Sequence, residues 1–150
     1  MKELTVQEIV EFSQRVEQES YDYYKAAQAR FASDKALVDL TEELAMAEID
    51  HFNRLRALLK EKRLSEKELR EKISVEASTY EQCVSTRVLP DKATPVDILK
   101  TALGREENTR DLYRQLLAFT NLSPDLTNTF EFLVKQEEGH VKIIQHKLTD

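Results

Sequence analysis

The sequence predicts an all-α protein, and three observations carry this expectation. The chain of 150 residues is 41% hydrophobic, which suits one domain with one sizeable core and is too short for two. Only two Gly and three Pro occur, whereas β-sandwiches and barrels need a turn about every 8 to 12 residues. All three prolines lie at the edges of long periodic segments, which leaves four uninterrupted stretches that are predicted to be helices.

The first two predicted helices have recognisable start signals. Thr5 can cap the first helix while Glu8 reaches back to it, so this helix is expected to run from Thr5 to about Phe31. The second helix is expected to begin near Ser33 or Asp34 and to continue to about position 61.

The third and fourth predicted helices begin with a cap and a proline. Thr94 and Ser123 each precede a proline, which is the residue best tolerated in the first turn of a helix. These helices are therefore expected over about 95–119 and 124–148.

The connections between the predicted helices are unequal in length. Short connections within 5–61 and within 94–148 predict two antiparallel hairpins in a single domain, 1–150. The crossover, 62–93, is long enough to travel the length of a bundle, and one long crossover is typical of the ferritin-like four-helix bundle. Ser65 and Glu68 have capping-box spacing, but the rest of the crossover has a weak pattern and is left unassigned.

The two predicted hairpins are copies of one another. A shift of 89 residues superposes identical residues without a gap, and the matching pairs include Thr5/Thr94, Ile9/Ile98, Glu17/Glu106, Tyr24/Tyr113, Glu48/Glu137 and His51/His140. Two such hairpins facing each other predict a pseudo-twofold axis, so that anything on their inner faces occurs twice.

Each helix carries an apolar stripe at three- and four-residue steps, and charged residues interrupt all four stripes at mid-length. The interrupting residues are Glu17, Glu48, His51, Glu106, Glu137 and His140. Four carboxylates and two imidazoles are thus predicted to point into the middle of the bundle. Burying an unpaired carboxylate costs roughly several kcal/mol. Arg105 is the only candidate on the central part of these stripes for a base that could pair with the carboxylates.

Metal binding is the interaction that best neutralises the charge of these buried side chains. Four glutamates and two divalent cations sum to zero charge, and two neutral imidazoles add nitrogen donors. A Glu and a His three residues apart on one helix lie on the same face and can bind a common metal pair.

His146 lies near the chain end and is expected at the surface. Gly139, inside the fourth-helix motif, either opens space beside the metals or permits close helix packing.

At this point the chain resembles the rubrerythrin-like branch of the ferritin-like di-iron carboxylate proteins. The resemblance rests on Glu followed seven residues later by Tyr on helices one and three, and on Glu-x-x-His on helices two and four. It implies a di-iron site, with manganese or a mixed pair as alternatives. The implied roles are bridging by Glu48 and Glu137, completion of one iron by Glu17 and His51, completion of the other by Glu106 and His140, and hydrogen bonding by Tyr24 and Tyr113.

Three departures from the family's patterns narrow the expectation. The only cysteine is Cys83, so no rubredoxin-like knuckle is present and electrons are expected from an external electron-transfer protein. Thr109 stands where rubrerythrins place an additional Glu, which predicts a symmetric six-ligand centre. Ile49 stands where bacterioferritins place their haem-binding Met, and only ten residues follow His140, so neither haem nor a storage cage is expected.

These observations favour an oxidoreductase that reduces hydrogen peroxide or dioxygen at a di-iron centre. Such an enzyme is expected to act in the response to oxidative stress. The alternative is iron handling of the ferroxidase type without catalytic turnover, and a third reading is a helical interaction module with a structural metal pair. No nucleotide cofactor is expected.

Composition excludes other partners. The net charge of -6 repels nucleic acid, and no apolar run approaches the roughly 20 residues that span a membrane. The lone cysteine and the lack of an apolar leader predict a cytoplasmic protein, and a homodimer is the default expectation.

Overall fold

The computed structural model describes residues 1–84, 89–119 and 122–149. In this part of the chain the protein is predominantly helical, as predicted, with one small sheet. The elements are β1 Lys2–Thr5, α1 Val6–Arg30, α2 Lys35–Lys60, α3 Glu66–Arg70, β2 Lys72–Val75, α4 Ala77–Val84, α5 Pro95–Leu117 and α6 Pro124–Thr149. Among the described residues, no helix is long and apolar enough to cross a membrane.

The caps predicted from the sequence form at the four long helices. The Thr5 hydroxyl accepts a hydrogen bond from the Glu8 amide at 3.1 Å, and the Glu8 carboxylate accepts one from the Thr5 amide at 2.9 Å. Asp34, one of the two candidates, caps α2, and Thr94 begins α5 with a second capping box. Because these side chains satisfy amides that have no partner inside the helix, each helix begins where its cap stands.

The crossover is more structured than the sequence predicted. The capping box of Ser65 and Glu68 does start a one-turn helix, α3. The all-α expectation needs one correction, because β2 follows and pairs antiparallel with β1, from Lys2 opposite Val75 to Thr5 opposite Lys72. Four-residue strands give too short an alternation to be distinguished in a sequence, and this pair forms because its apolar side chains join the core.

Helix α4 is a second element that the sequence did not predict. It lies against α5, where the Gln115 amide donates to the Thr79 hydroxyl at 2.7 Å and the Cys83 thiol donates to the Asn108 carbonyl at 3.4 Å. On the side of α1, the ring of Tyr80 stacks on Phe12 with centroids 4.4 Å apart. Helix α4 therefore covers the cleft between α1 and α5.

The core consists of two apolar clusters that share all four long helices. Along α1 the chain passes from the first cluster to the second, and along α2 it returns, so the two helices run in opposite directions. Helices α5 and α6 are antiparallel by the same argument. On every one of the four helices, the residues that separate the two clusters are those that interrupt the apolar stripe.

Candidate metal centre

The six predicted site residues are all buried at mid-length of the four long helices. Their exposed fractions are Glu17 0%, Glu48 1%, His51 0%, Glu106 2%, Glu137 0% and His140 7%. Charged residues are almost never buried so completely unless they are paired or bind an ion. Apolar clusters lie on either side of this layer.

The six side chains form two overlapping groups that could each hold a metal ion. One group contains Glu17 and His51, the other contains Glu106 and His140, and both contain Glu48 and Glu137. Within each group, one ligand atom of every residue lies within 4.8 Å of the others. The two shared carboxylates therefore lie between the groups, where each can contribute to both.

Each histidine faces one glutamate of its own hairpin and one of the other hairpin. His51 Nδ1 lies 3.5 Å from Glu17 Oε2 and 3.3 Å from Glu137 Oε1. His140 Nδ1 lies 3.5 Å from Glu106 Oε1 and 3.9 Å from Glu48 Oε1. This repetition is the pseudo-twofold relation that the internal repeat predicts.

Two buried tyrosines connect the hairpins. Each donates a hydrogen bond to a terminal glutamate, meaning a glutamate that belongs to only one of the two groups. The Tyr24 hydroxyl donates to Glu106 Oε1 at 3.1 Å, and the Tyr113 hydroxyl donates to Glu17 Oε1 at 2.7 Å. Burial and the neighbouring carboxylates raise the pKa of both phenols well above its ordinary value. Both tyrosines therefore keep their protons and remain donors.

Many polar atoms of the site have no hydrogen-bond partner. They are Glu17 Oε2, Glu48 Oε1, His51 Nδ1 and Nε2, Glu137 Oε1 and Oε2, and His140 Nδ1. A buried group without a partner costs about 1–3 kcal/mol, and more if it is charged. Because these atoms converge, a cation between them would satisfy several at once.

Without a cation, the acidic centre lowers its charge by holding protons. Burial raises the pKa of Glu48 well above its ordinary value, and the charges of Glu106 and Glu17 raise it further. Burial also raises the pKa of Glu17, but the neighbouring Glu48 and His51 outweigh burial, so its pKa is lowered. Burial lowers the pKa of His51, but the Glu17 carboxylate outweighs it and the net change is upward.

The donor set fits a pair of divalent first-row metals. Carboxylates are hard oxygen donors and imidazoles are borderline nitrogen donors, a mixture that suits iron, manganese and zinc. Two divalent cations would balance four carboxylates, and the unpartnered atoms already face one another. The buried groups could therefore hold metal ions, and their chemistry does not select one metal.

Several neighbours of the site also have definite positions. Gly139 is not needed for close packing, since a Cβ added there would meet nothing within 4 Å. Arg105, the candidate central base, donates from Nε to the Ser20 hydroxyl at 3.3 Å and lies over the ring of Tyr23. His146 is exposed, as expected.

Sequence reasoning missed two features around the site. Phe132 packs edge-on against His51, with the two ring centroids 6.2 Å apart. The Arg54 guanidinium carbon lies 4.0 Å from the centroid of the Phe132 ring. Ser20 is buried beside Thr109, and the two residues are related by the 89-residue shift. The shift was the available signal for Ser20, because both residues follow a site glutamate by three positions.

The fold and the site together define a predominantly helical protein with a buried cluster of carboxylates and imidazoles that could hold metal. No protein-family model matches the chain, and no curated protein or solved structure matches it.

Proposed function

We propose that this protein is a rubrerythrin-like member of the ferritin-like superfamily, in which two antiparallel hairpins form a four-helix bundle around a di-iron centre. We propose further that it reduces hydrogen peroxide or dioxygen. The single observation that carries the proposal is the pair of overlapping four-residue groups, buried together and rich in unpartnered donor atoms.

The ligand roles follow from which residues the two groups share. Glu48 and Glu137 belong to both groups and would bridge the two ions. Glu17 with His51 would complete one ion, and Glu106 with His140 the other. Bound iron supplies a reversible redox couple and Lewis acidity.

The chain's own residues contribute positioning and an environment poor in water. Tyr24 holds Oε1 of Glu106, and Tyr113 holds Oε1 of Glu17, which leaves Oε2 of Glu17 facing His51. The apolar clusters exclude solvent on both sides, so charge interactions at the centre are strong.

Reduction of one hydrogen peroxide to two waters consumes two electrons and two protons. The proposed electron source is an external electron-transfer protein. We propose that both proteins are located in the cytoplasm. The proposed assembly of this protein is a homodimer. Neither nucleic acid nor a membrane takes part in this proposal.

Metal analysis and calorimetry test the proposal directly. Purified protein loaded with ferrous iron without oxygen is expected to hold two ions per chain, whereas Glu48→Ala and His140→Ala are expected to lose stoichiometric binding. Matched controls are Glu131→Ala and His146→Ala, because both residues lie exposed on the same helix as His140. Retention of two ions in either site variant would contradict the ligand assignment.

Turnover separates the two functional alternatives. Repeated consumption of peroxide with a small electron-transfer protein would support the oxidoreductase. Stoichiometric oxidation of added ferrous iron without turnover would instead support iron handling, and the ligand assignment would survive. Binding of redox-inactive zinc alone would support a structural role.

A further inference from the structure

A small cavity lies between α1, α4 and α5, on the side of the bundle that the crossover covers. Its volume is about 20 Å³, and its lining includes Ser20, Gln82, Cys83, Arg105, Asn108 and Thr109. About 10–15 Å³ is enough for one water molecule, so this cavity accommodates a single small molecule and no side chain.

The lining runs from the surface inward. Gln82 is exposed, and Arg105 and Asn108 are half-buried, whereas Ser20 and Thr109 are each 4% exposed. The cavity therefore leads from solvent past a guanidinium to two buried hydroxyl residues.

The two most buried hydroxyl residues of the cavity each lie one helical turn from a glutamate of the candidate metal centre. Ser20 lies one helical turn beyond Glu17, and Thr109 one turn beyond Glu106, on the same faces as these glutamates. Cys83, on α4, forms the outer wall of the same cavity and is itself buried. No other described cavity is lined by residues one turn from both terminal glutamates.

On the side of α2 and α6, Phe132 covers His51. A wider groove of about 400 Å³ runs between α2 and α6, and Phe132 forms part of its wall. The Phe132 ring packs on His51 and is itself covered by Arg54, so a molecule in the groove meets an aromatic ring rather than the site.

Hydrogen bonds connect the polar residues that line the small cavity. Arg105 donates to Ser20, and the Thr109 hydroxyl donates to the Arg105 carbonyl at 2.8 Å. Val16 occupies the repeat position that corresponds to Arg105, so the two halves differ here and only one half contributes a cation. A small polar molecule can therefore hydrogen-bond along this route.

We infer that this cavity is the access port through which small polar molecules, of the size of water, hydrogen peroxide or azide, reach the metal centre. This inference rests on the proposed function, because the port would serve the same metal centre. Ser20 and Thr109 line its narrow inner end, and Arg105 forms its polar wall.

Azide binding to the cobalt-loaded protein tests the port without measuring catalysis. Azide enters as a spectroscopic probe, and its association and dissociation rates are followed by the change in the cobalt absorption bands. Ser20→Val fills the inner end and is expected to lower both rates about tenfold, as about 1.4 kcal/mol of added barrier does, with the dissociation constant unchanged. Cys83→Ala enlarges the cavity and is expected to raise both rates.

Ser13→Val is the matched control for Ser20→Val. Ser13 is likewise buried on α1, lies one turn from Glu17 on the opposite side and does not line the cavity. Its azide rates are expected to equal those of the unaltered protein. Equal rates in Ser20→Val and the unaltered protein would overturn the port, and so would slowing by Gly139→Leu instead, which would move the route to the His140 side.

Cobalt binding itself separates the port from the proposed function. If the unaltered protein binds no cobalt, there is no metal centre for a port to serve, and both proposals are overturned. If cobalt binds and Ser20→Val exchanges azide as fast as the unaltered protein, the port is wrong while the metal centre stands.

Discussion

Replacing Glu48 with glutamine should make the metal-free protein more stable and the metal-loaded protein less stable. Glu48 is buried between two other carboxylates, and burial together with their charges raises its pKa. A glutamine amide has nearly the same shape, carries no charge and can donate hydrogen bonds to the neighbouring carboxylates. It cannot bridge two cations as a carboxylate does.

The magnitude follows from proton linkage. At pH 7, keeping a carboxyl group with an ordinary pKa of 4.5 protonated costs about 3 kcal/mol, at about 1.36 kcal/mol for each pH unit. Glu48→Gln removes this cost, so we expect a gain of about 1–3 kcal/mol in the free energy of unfolding at pH 7. For a chain of this size, each kcal/mol corresponds to about 2–4 °C in Tm.

The sign of the pH dependence is fixed by the direction of the Glu48 shift. A group whose folded-state pKa is raised contributes stability that is present below its unfolded pKa and is lost as pH rises through the folded value. Glu48→Gln should therefore match the unaltered metal-free protein below pH 4.5 and exceed it increasingly above that pH.

Urea unfolding of both proteins, with chelator and with excess ferrous or manganous ion, checks the prediction. A ligand at about 100 times its Kd adds about 2.7 kcal/mol to the unaltered protein, and Glu48→Gln should gain much less. Glu131→Gln, at an exposed position, should change neither measurement. A metal-free Glu48→Gln that is less stable at pH 7, or one stabilised fully by metal, would refute the reasoning.

Three further predictions concern single contacts. Gly139→Ala should raise the free energy of unfolding by about 0.5–1 kcal/mol in urea titration, because the helix interior has room for a methyl group, and a loss of stability would show a clash that the structure lacks. Thr5→Ala should lower it by about 1 kcal/mol through loss of the α1 cap, and unchanged stability would mean that the capping box contributes nothing. Tyr113→Phe removes the hydrogen bond to Glu17 and should weaken metal affinity about 10- to 100-fold in calorimetry without changing stoichiometry, whereas equal affinity would show that Glu17 needs no support.

The four long helices could be predicted because their signals are local. A cap such as Thr5 and a proline such as Pro124 act within a few residues, and the apolar stripes repeat at helical steps. The six buried site residues could be predicted for the same reason, since helical periodicity alone assigns Glu48 and His51 to the inner face.

The crossover could not be predicted because distant partners stabilise it. Helix α4 is held by the hydrogen bond between Gln115 and Thr79 and by the stacking of Tyr80 on Phe12. Strand β2 needs the first residues of the chain as its partner. Nothing near these segments in the sequence carries that information, so local reasoning ends where such tertiary contacts begin.

The tyrosine bonds cross from one hairpin to the other, so each half of the protein completes the other. Tyr24 supports Glu106, and Tyr113 supports Glu17. A hairpin produced alone would carry three ligands but would lack the hydroxyl that orients its own terminal carboxylate. Because both hairpins belong to one chain, their association is independent of protein concentration.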